Sequence, residues 1–189
     1  MRKIIVVEYV TLDGVMEDPG GAETFEHGGW TIPYWNDEIG KVQLDGLFAS
    51  DALLLGRVTY QGFAAAWPSM TDEVGFADRM NGLPKYVVST TLAEVAWNNS
   101  RLIKGNVAEE VSRLKQEVGQ NILIYGSGEL VNTLMHHDLI DEYRLLVYPL
   151  VLGSGKRLFQ GGNKTTLKLV ETKPFSSGVV LLNYQPDKK

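Results

Sequence analysis

ILIYGSGELVNTLM, residues 122 to 135, passes from an apolar run through Gly126-Ser127-Gly128 into a helix-like pattern that begins at Glu129. A short apolar run bounded by small residues fits a buried strand. Glycines and a serine between a strand and a helix have two readings. One is a tight turn, with Ser127 capping the helix. The other is an anion site, because the first N–H groups of a helix lack partners within it and its dipole puts positive charge there. Glycine lets a phosphate come close to the backbone. The stretch is not a full dinucleotide fingerprint, since Val131 stands at the third glycine position.

LLLGRVTYQGF, residues 53 to 63, has the same shape: Gly56 ends a strand, then Arg57 and Thr59 open a helix. A guanidinium offers a fixed fork of donors to phosphate oxygens; the alternative is a surface arginine in an ion pair. In VVSTTL, residues 87 to 92, Ser89, Thr90 and Thr91 follow a third strand. They suit a ribose phosphate, or equally a turn whose hydroxyls bond their own backbone. In an open parallel sheet, ligands sit beyond the carboxyl ends of the strands. Two such junctions are placed to hold a pyrophosphate between them.

Outward from these junctions, strands are expected over residues 3–10, 51–55, 85–89, 121–125, 141–152, 166–172 and 178–185. Pro149 interrupts the long one, which suits a bulge or an edge. Helices are expected over 35–49, 57–66, 107–118 and 129–135, with a short helical stretch at 72–80. Val107, Val111, Leu114 and Val118 carry the clearest helical period, and Gly119 is a good stop. Residues 11–34 form a long glycine-rich loop, the kind that serves as a lid or binding loop. The alternation predicts an α/β fold with a mainly parallel sheet and helices on both faces. The closing strands predict an antiparallel C-terminal edge. No repeat or linker divides the chain, so residues 1–189 read as one domain.

The chain has 189 residues, 44% of them hydrophobic and 22% charged, close to the globular averages. Only the polar end, 187–189, is expected to lack order. A net charge of -5 argues against nucleic acid or an anionic membrane as partner. The absence of cysteine excludes disulfides, thiolate nucleophiles and cysteine-based metal sites. The first residues make a poor signal peptide and a plausible strand broken by Glu8. No stretch reaches the ~18–20 apolar residues of a membrane span, and a cytoplasmic protein is expected. Asn98-Asn99-Ser100 and Asn163-Lys164-Thr165 match the glycosylation pattern and are read as chance. Gly153-Ser154-Gly155-Lys156 is not a phosphate-binding P-loop, because Leu150 and Arg157 stand where it needs glycine and a hydroxyl.

These motifs, taken in order, resemble the dihydrofolate reductase-like superfamily, and most closely the reductase domain of riboflavin biosynthesis and its stand-alone relatives. VTLDGVMEDPGG, residues 10 to 21, is similar to the family's S-L-D-G signature, with Thr11 in place of the serine. DALLLGRVTYQGF (51–63) resembles its G-R-x-T-[YFW] motif, residues 122–159 its paired-glycine junction and following strand, and KYVVSTTL (85–92) its adenosine-facing segment. The resemblance implies a three-layer dihydrofolate reductase-like fold, NADPH as hydride donor and a small heterocycle as acceptor. The heterocycle would be pterin-, flavin-precursor- or ribosylaminopyrimidine-like. Carried over, Gly56, Arg57 and Thr59 would meet the cofactor phosphates and Ser89, Thr90 and Thr91 the adenosine phosphate. Gly126, Ser127, Gly128, Glu129 and Leu130 would line the pyrophosphate and nicotinamide ribose. A homodimer is also implied.

The departures bear on activity. Tyr125 stands where classical dihydrofolate reductases have the first of paired glycines. For the folate enzymes' proton-relay carboxylate the helix at 35–49 offers three candidates, Asp37, Glu38 and Asp45, with no single match among them, which puts folate reduction in doubt. The chain has no H-x-E motif and cannot deaminate. A nucleotide-binding module without turnover, a true dihydrofolate reductase and a nucleotide-free structural dimer stand as alternatives. For proton supply the candidate is Asp13, at the end of the first strand; its alternative is an Asp-Gly turn. Trp30, Tyr34 and Trp35 are candidates for an aromatic wall around a flat ring, or for core packing under the loop. His136 and His137 are adjacent in a helix and share no face, so no metal is expected.

Overall fold

A computed structural model describes residues 1–162 and 164–187; the expectations for Asn163 and for residues 188–189 lie outside them. The apolar runs become eight strands: β1 (Ile4–Thr11), β2 (Ser50–Gly56), β3 (Lys85–Val88), β4 (Ser100–Ile103), β5 (Asn121–Ile124), β6 (Glu142–Tyr148), β7 (Leu167–Pro174) and β8 (Val180–Pro186). They form one sheet in the order β4-β3-β2-β5-β1-β6-β8-β7. Every pairing from β4 to β6 is parallel. β8 runs antiparallel to β6, and β7 to β8, which is the expected C-terminal edge.

The helices are α1 (Asp37–Phe48), α2 (Arg57–Ala66), α3 (Phe76–Gly82), α4 (Val107–Gln116) and α5 (Gly128–His136). Side chains of a strand alternate between faces, and β1 shows it. Ile5 and Val7 pack in a core with Ile39 and Leu47 of α1, Tyr60 of α2 and Met80 of α3. Ile4, Val6 and Val10 pack on the other face with Val111 of α4 and Val131 of α5. Both faces are covered, so β1 reads as an apolar run broken only by Glu8 before its terminal Thr11.

Several boundaries differ from expectation for physical reasons. α1 begins at Asp37 because the Asn36 side chain accepts the Ile39 N–H at 3.0 Å. α3 begins at Phe76, not 72, since the Asp72 carboxylate accepts N–H groups of Val74, Phe76 and Ala77 and holds a turn ahead of the helix. α4 stops at Gln116; Glu117 is extended and Val118 is fully exposed. Gly119 is pressed there against an Arg2–Asp51 ion pair, where a Cβ would come within 2.6 Å of Asp51 Oδ2. β6 ends at Tyr148, because Pro149 has no N–H for the ladder. β4 is an unexpected strand, four residues long with one apolar end, Leu102-Ile103.

Lys85 is fully buried on β3. Its ammonium donates to the carbonyls of Asn81, Leu83 and Asn98 at 2.8–2.9 Å and lies 4.1 Å from the centre of the Trp97 ring. It ties the end of α3 to the segment between β3 and β4. Lys85→Met removes three hydrogen bonds to carbonyls, of which Asn81 keeps a longer one from Asn98, and thermal unfolding should show a loss of about 2 kcal/mol. An unchanged melting temperature would remove this role.

Candidate functional site

Chain connections choose opposite faces at the middle of the sheet. β1 and β2 lead into α1 and α2 on one face, while β5, between them, leads into α5 on the other. A crevice opens where connections diverge in this way. The two glycine junctions meet there. A Cβ on Gly56 would lie 2.5 Å from Ser127 Oγ, and one on Gly126 2.6 Å from Thr59 Oγ1. Gly126 has φ +62, in the left-handed region that glycine tolerates. Ser127 caps α5 by accepting the Leu130 N–H at 3.3 Å, so its capping reading holds. Gly128 lies under Met16, whose Sδ would be 2.9 Å from an added Cβ. The backbones of α5 and α2 thus begin side by side, with small and hydroxyl-bearing side chains between them.

Beneath this turn is a residue that sequence reasoning did not select. Glu8 is buried on β1, and its Oε1 accepts the Gly126 N–H at 2.6 Å. Burial pushes its carboxyl up to about 8, against the smaller opposing effect of the Gly126 hydrogen bond. Glu8 is a positioning group for the glycine turn. The available signal was a lone acidic residue inside a β-branched apolar run.

The remaining expected residues divide. Arg57 opens α2 and is exposed; its guanidinium donates to Gln61 Oε1 at 3.0 Å. Ser89 is buried, and its Oγ accepts the N–H groups of Thr91 and Leu92, which is the turn reading; Thr90 and Thr91 are exposed beside it. Glu129 is exposed in the first turn of α5 and Leu130 is buried in the core behind it.

Asp13 follows β1 in a tight turn. Its carboxylate accepts from the Thr11 hydroxyl at 2.6 Å and from the N–H groups of Leu152 and Gly153, and Arg157 lies 3.8 Å away. The Thr11 hydrogen bond, followed by the backbone donors, holds the carboxyl down at about 2. A group so held is ionised at neutral pH. This geometry supports the turn reading of Asp13-Gly14 and gives the carboxyl no proton to donate.

The aromatic candidates also separate. Trp30 is buried, donates through Nε1 to the Glu17 carbonyl, and meets Tyr148 edge-on at 5.3 Å. Tyr34 meets the same ring at 5.9 Å, as does Tyr9 of β1 at 5.7 Å. Trp35 is 53% exposed and stands outside the cluster. Sequence reasoning missed Tyr9 and Tyr148 because a tyrosine in an apolar strand looks like any core residue. On α1, the buried residues are Ile39, Gln43, Gly46 and Leu47. Asp37 is exposed, Glu38 accepts from Ser176, and Asp45 pairs with Lys41 at 2.8 Å, so none of these carboxylates faces the sheet. His136 bonds the Asn132 carbonyl one turn back. Among the described residues no group of three His, Asp or Glu is arranged for a metal, and no helix is long and apolar enough to cross a membrane.

Residues 2–181 match the family described as the RibD C-terminal domain. The chain belongs to the RibD C-terminal domain family. The uncharacterized protein YyaP of Bacillus subtilis (strain 168) is 35% identical over 187 residues, covering 97% of this chain and 94% of YyaP. Among solved structures, a protein provisionally assigned to riboflavin biosynthesis in Shewanella sp. PV-4 superposes with a TM-score of 0.74 at 21% identity, over 98% of this chain and 99% of that one. Dihydrofolate reductase from Enterococcus faecalis, solved with NADP(H), gives 0.65 at 12% identity, over 98% and 97%. At these identities the structural likeness establishes the fold, which is dihydrofolate reductase-like. Membership in the family supports a reductase-type function.

Proposed function

We propose that this family member is an NADPH-dependent reductase of a small heterocycle of pterin, flavin-precursor or ribosylaminopyrimidine type. The observation that carries the reading is the meeting of Gly56 with Ser127 and of Gly126 with Thr59 at the switch point of the sheet. Side-chain-free backbone and two helix N-termini fit a pyrophosphate there. NADPH, when bound, supplies the hydride; the chain binds and orients it. Gly126, Ser127 and Gly128 would face the pyrophosphate, with Thr59 across from them. Thr90 and Thr91 would face the adenosine phosphate, and exposed Arg57 a 2′-phosphate. The nearest named reaction is reduction of a ribosylaminopyrimidine in riboflavin synthesis.

Folate reduction is the less supported reading, because α1 turns Ile39 and Gln43, not a carboxylate, toward the sheet. We further propose a homodimer, supported by β7, an edge strand with seven exposed residues that include Leu169 and Val170. Sedimentation velocity tests it.

Titration with NADPH and NADH by quenching of tryptophan fluorescence tests the cofactor. Arg57→Ala should weaken NADPH by about tenfold or more and leave NADH nearly unchanged, as loss of a charged phosphate contact does. Equal loss for both nucleotides would move Arg57 away from the 2′-phosphate. Binding of neither would remove the reductase reading. Tight NADPH binding with no oxidation in the presence of any heterocycle would leave a nucleotide-binding module.

A further inference from the structure

A groove of about 360 Å³ opens between α4 and β4, the strand at one edge of the sheet. Strand alternation decides what faces it. Ile103 of β4 shares a core with Val111 and Leu114 of α4, so Arg101, two residues earlier, points to the same side. Tyr86 of β3 is the ladder partner of Arg101 and lines the groove beside it. α4 contributes Glu110 and Arg113 from the facing wall, and Lys104 stands where β4 gives way to the turn before α4.

The charge of this groove runs against that of the chain. The whole protein carries -5, yet here Arg101, Lys104 and Arg113 meet Glu110 as the one acidic side chain. Glu110 is engaged by Arg113, three residues on, in an ion pair. Among the described residues, the side chains of Arg101 and Lys104 have no ion-pair or hydrogen-bond partner. Charged residues blunt an exposed sheet edge, which accounts for cations on β4. It does not account for Arg113, which comes to the same groove from a helix. Like charges gathered in one concavity repel, and an anion between them relieves the repulsion.

We propose that this groove is a second ligand site, in which Arg101, Lys104 and Arg113 hold a small molecule bearing at least two phosphate or carboxylate groups. Each guanidinium presents a fork that matches one such group in a two-bond geometry, and two arginines set the minimum of two groups. The volume falls in the range of small-molecule sites, roughly 300–1,000 Å³. The site does not rest on the reductase reading. β4 lies three strands from β5 in the sheet order, about 14 Å at the ordinary strand spacing, and neither arginine belongs to the glycine junctions.

Pyrophosphate and citrate are the probes, titrated by calorimetry at fixed ionic strength with and without excess NADPH. Wild type is compared with Arg101→Gln, Arg113→Gln and Lys168→Gln, the last an exposed cation on β7 at the opposite edge of the sheet. All three are surface changes, so melting temperatures should stay together. Each arginine variant should bind the probe about tenfold or more weakly, as loss of a charged hydrogen-bonding group does, while Lys168→Gln binds like wild type. NADPH should not displace the probe, and affinity should fall as salt is raised. A preference between pyrophosphate and citrate identifies the oxyanion. Binding of neither probe, or equal affinity in all four proteins, would overturn the proposal. A probe displaced by NADPH and indifferent to both arginines would belong to the glycine junctions, which overturns the groove and leaves the nucleotide site standing. NADPH affinity that falls in parallel in Arg101→Gln and Arg113→Gln would make the groove part of the nucleotide site, and would overturn it as a second one.

Discussion

Gly56→Ala is expected to cost the protein most of its nucleotide affinity, on the order of 30-fold or more. The reasoning is purely steric. Gly56 has φ -77 and ψ 166, a conformation any residue adopts, so alanine brings no backbone strain. Its Cβ, however, would lie 2.5 Å from Ser127 Oγ and 2.7 Å from Ser127 Cβ. Ser127 must then move, and its cap on Leu130 goes with it. Loss of a cap costs about 1 kcal/mol, and the displaced turn no longer offers its N–H groups to the phosphates of the proposed cofactor. Gly126→Ala should be at least as severe, since a Cβ there meets Thr59 Oγ1 at 2.6 Å and the φ of +62 adds strain. Gly62→Ala is the control. It lies exposed on α2 with open space around it, and should be stabilising by roughly 0.5–1 kcal/mol. Fluorescence titration with NADPH on the three variants separates the outcomes. If Gly56→Ala binds like Gly62→Ala, the contact between the junctions does not shape the nucleotide site.

The contrast between these glycines shows what the sequence carried and what it could not. Strand runs such as Ile4–Val10 were legible because covering both faces of a parallel strand demands apolar residues at nearly every position, Glu8 being the exception. The antiparallel C-terminal edge was legible from strands that follow one another without a helix. β4 was not, because an edge strand of four residues needs little apolar surface. Val118 continued a helical period that the chain abandons, since Gly119 must pass close to Arg2 and Asp51, distant in sequence. The same non-locality hides the site. Residues 56 and 127 each look like ordinary turn chemistry, and only the sheet order puts them in contact. Asp13 invited an acid role by its place at a strand end, yet its pKa is set by Thr11, Leu152 and Gly153, two of which come from far along the chain.

Glu8→Gln is expected to flatten the dependence of stability on pH. Burial holds the Glu8 carboxyl at about 8 in the folded protein, against 4.5 for an unperturbed glutamate. Between these values the unfolded chain releases the proton and the folded chain keeps it. The folded state therefore binds more protons, and stability falls as pH rises through this window. The contribution is fully present below pH 4.5 and lost once pH passes about 8. At roughly 1.4 kcal/mol per pH unit, the full interval is worth on the order of 5 kcal/mol. Glutamine carries no titrating proton but keeps an oxygen for the Gly126 N–H. Urea unfolding of both proteins at about pH 5 and about pH 9 gives the difference directly, with all other titrating groups cancelling. The variant should gain on wild type at the higher pH; parallel curves would show that Glu8 does not titrate in the window. Glu8→Leu carries the argument to the site. It removes the titration too, but also the acceptor that holds Gly126. NADPH affinity near neutral pH should therefore survive in the glutamine variant and fall in the leucine one, which separates the charge of Glu8 from its hold on the glycine turn.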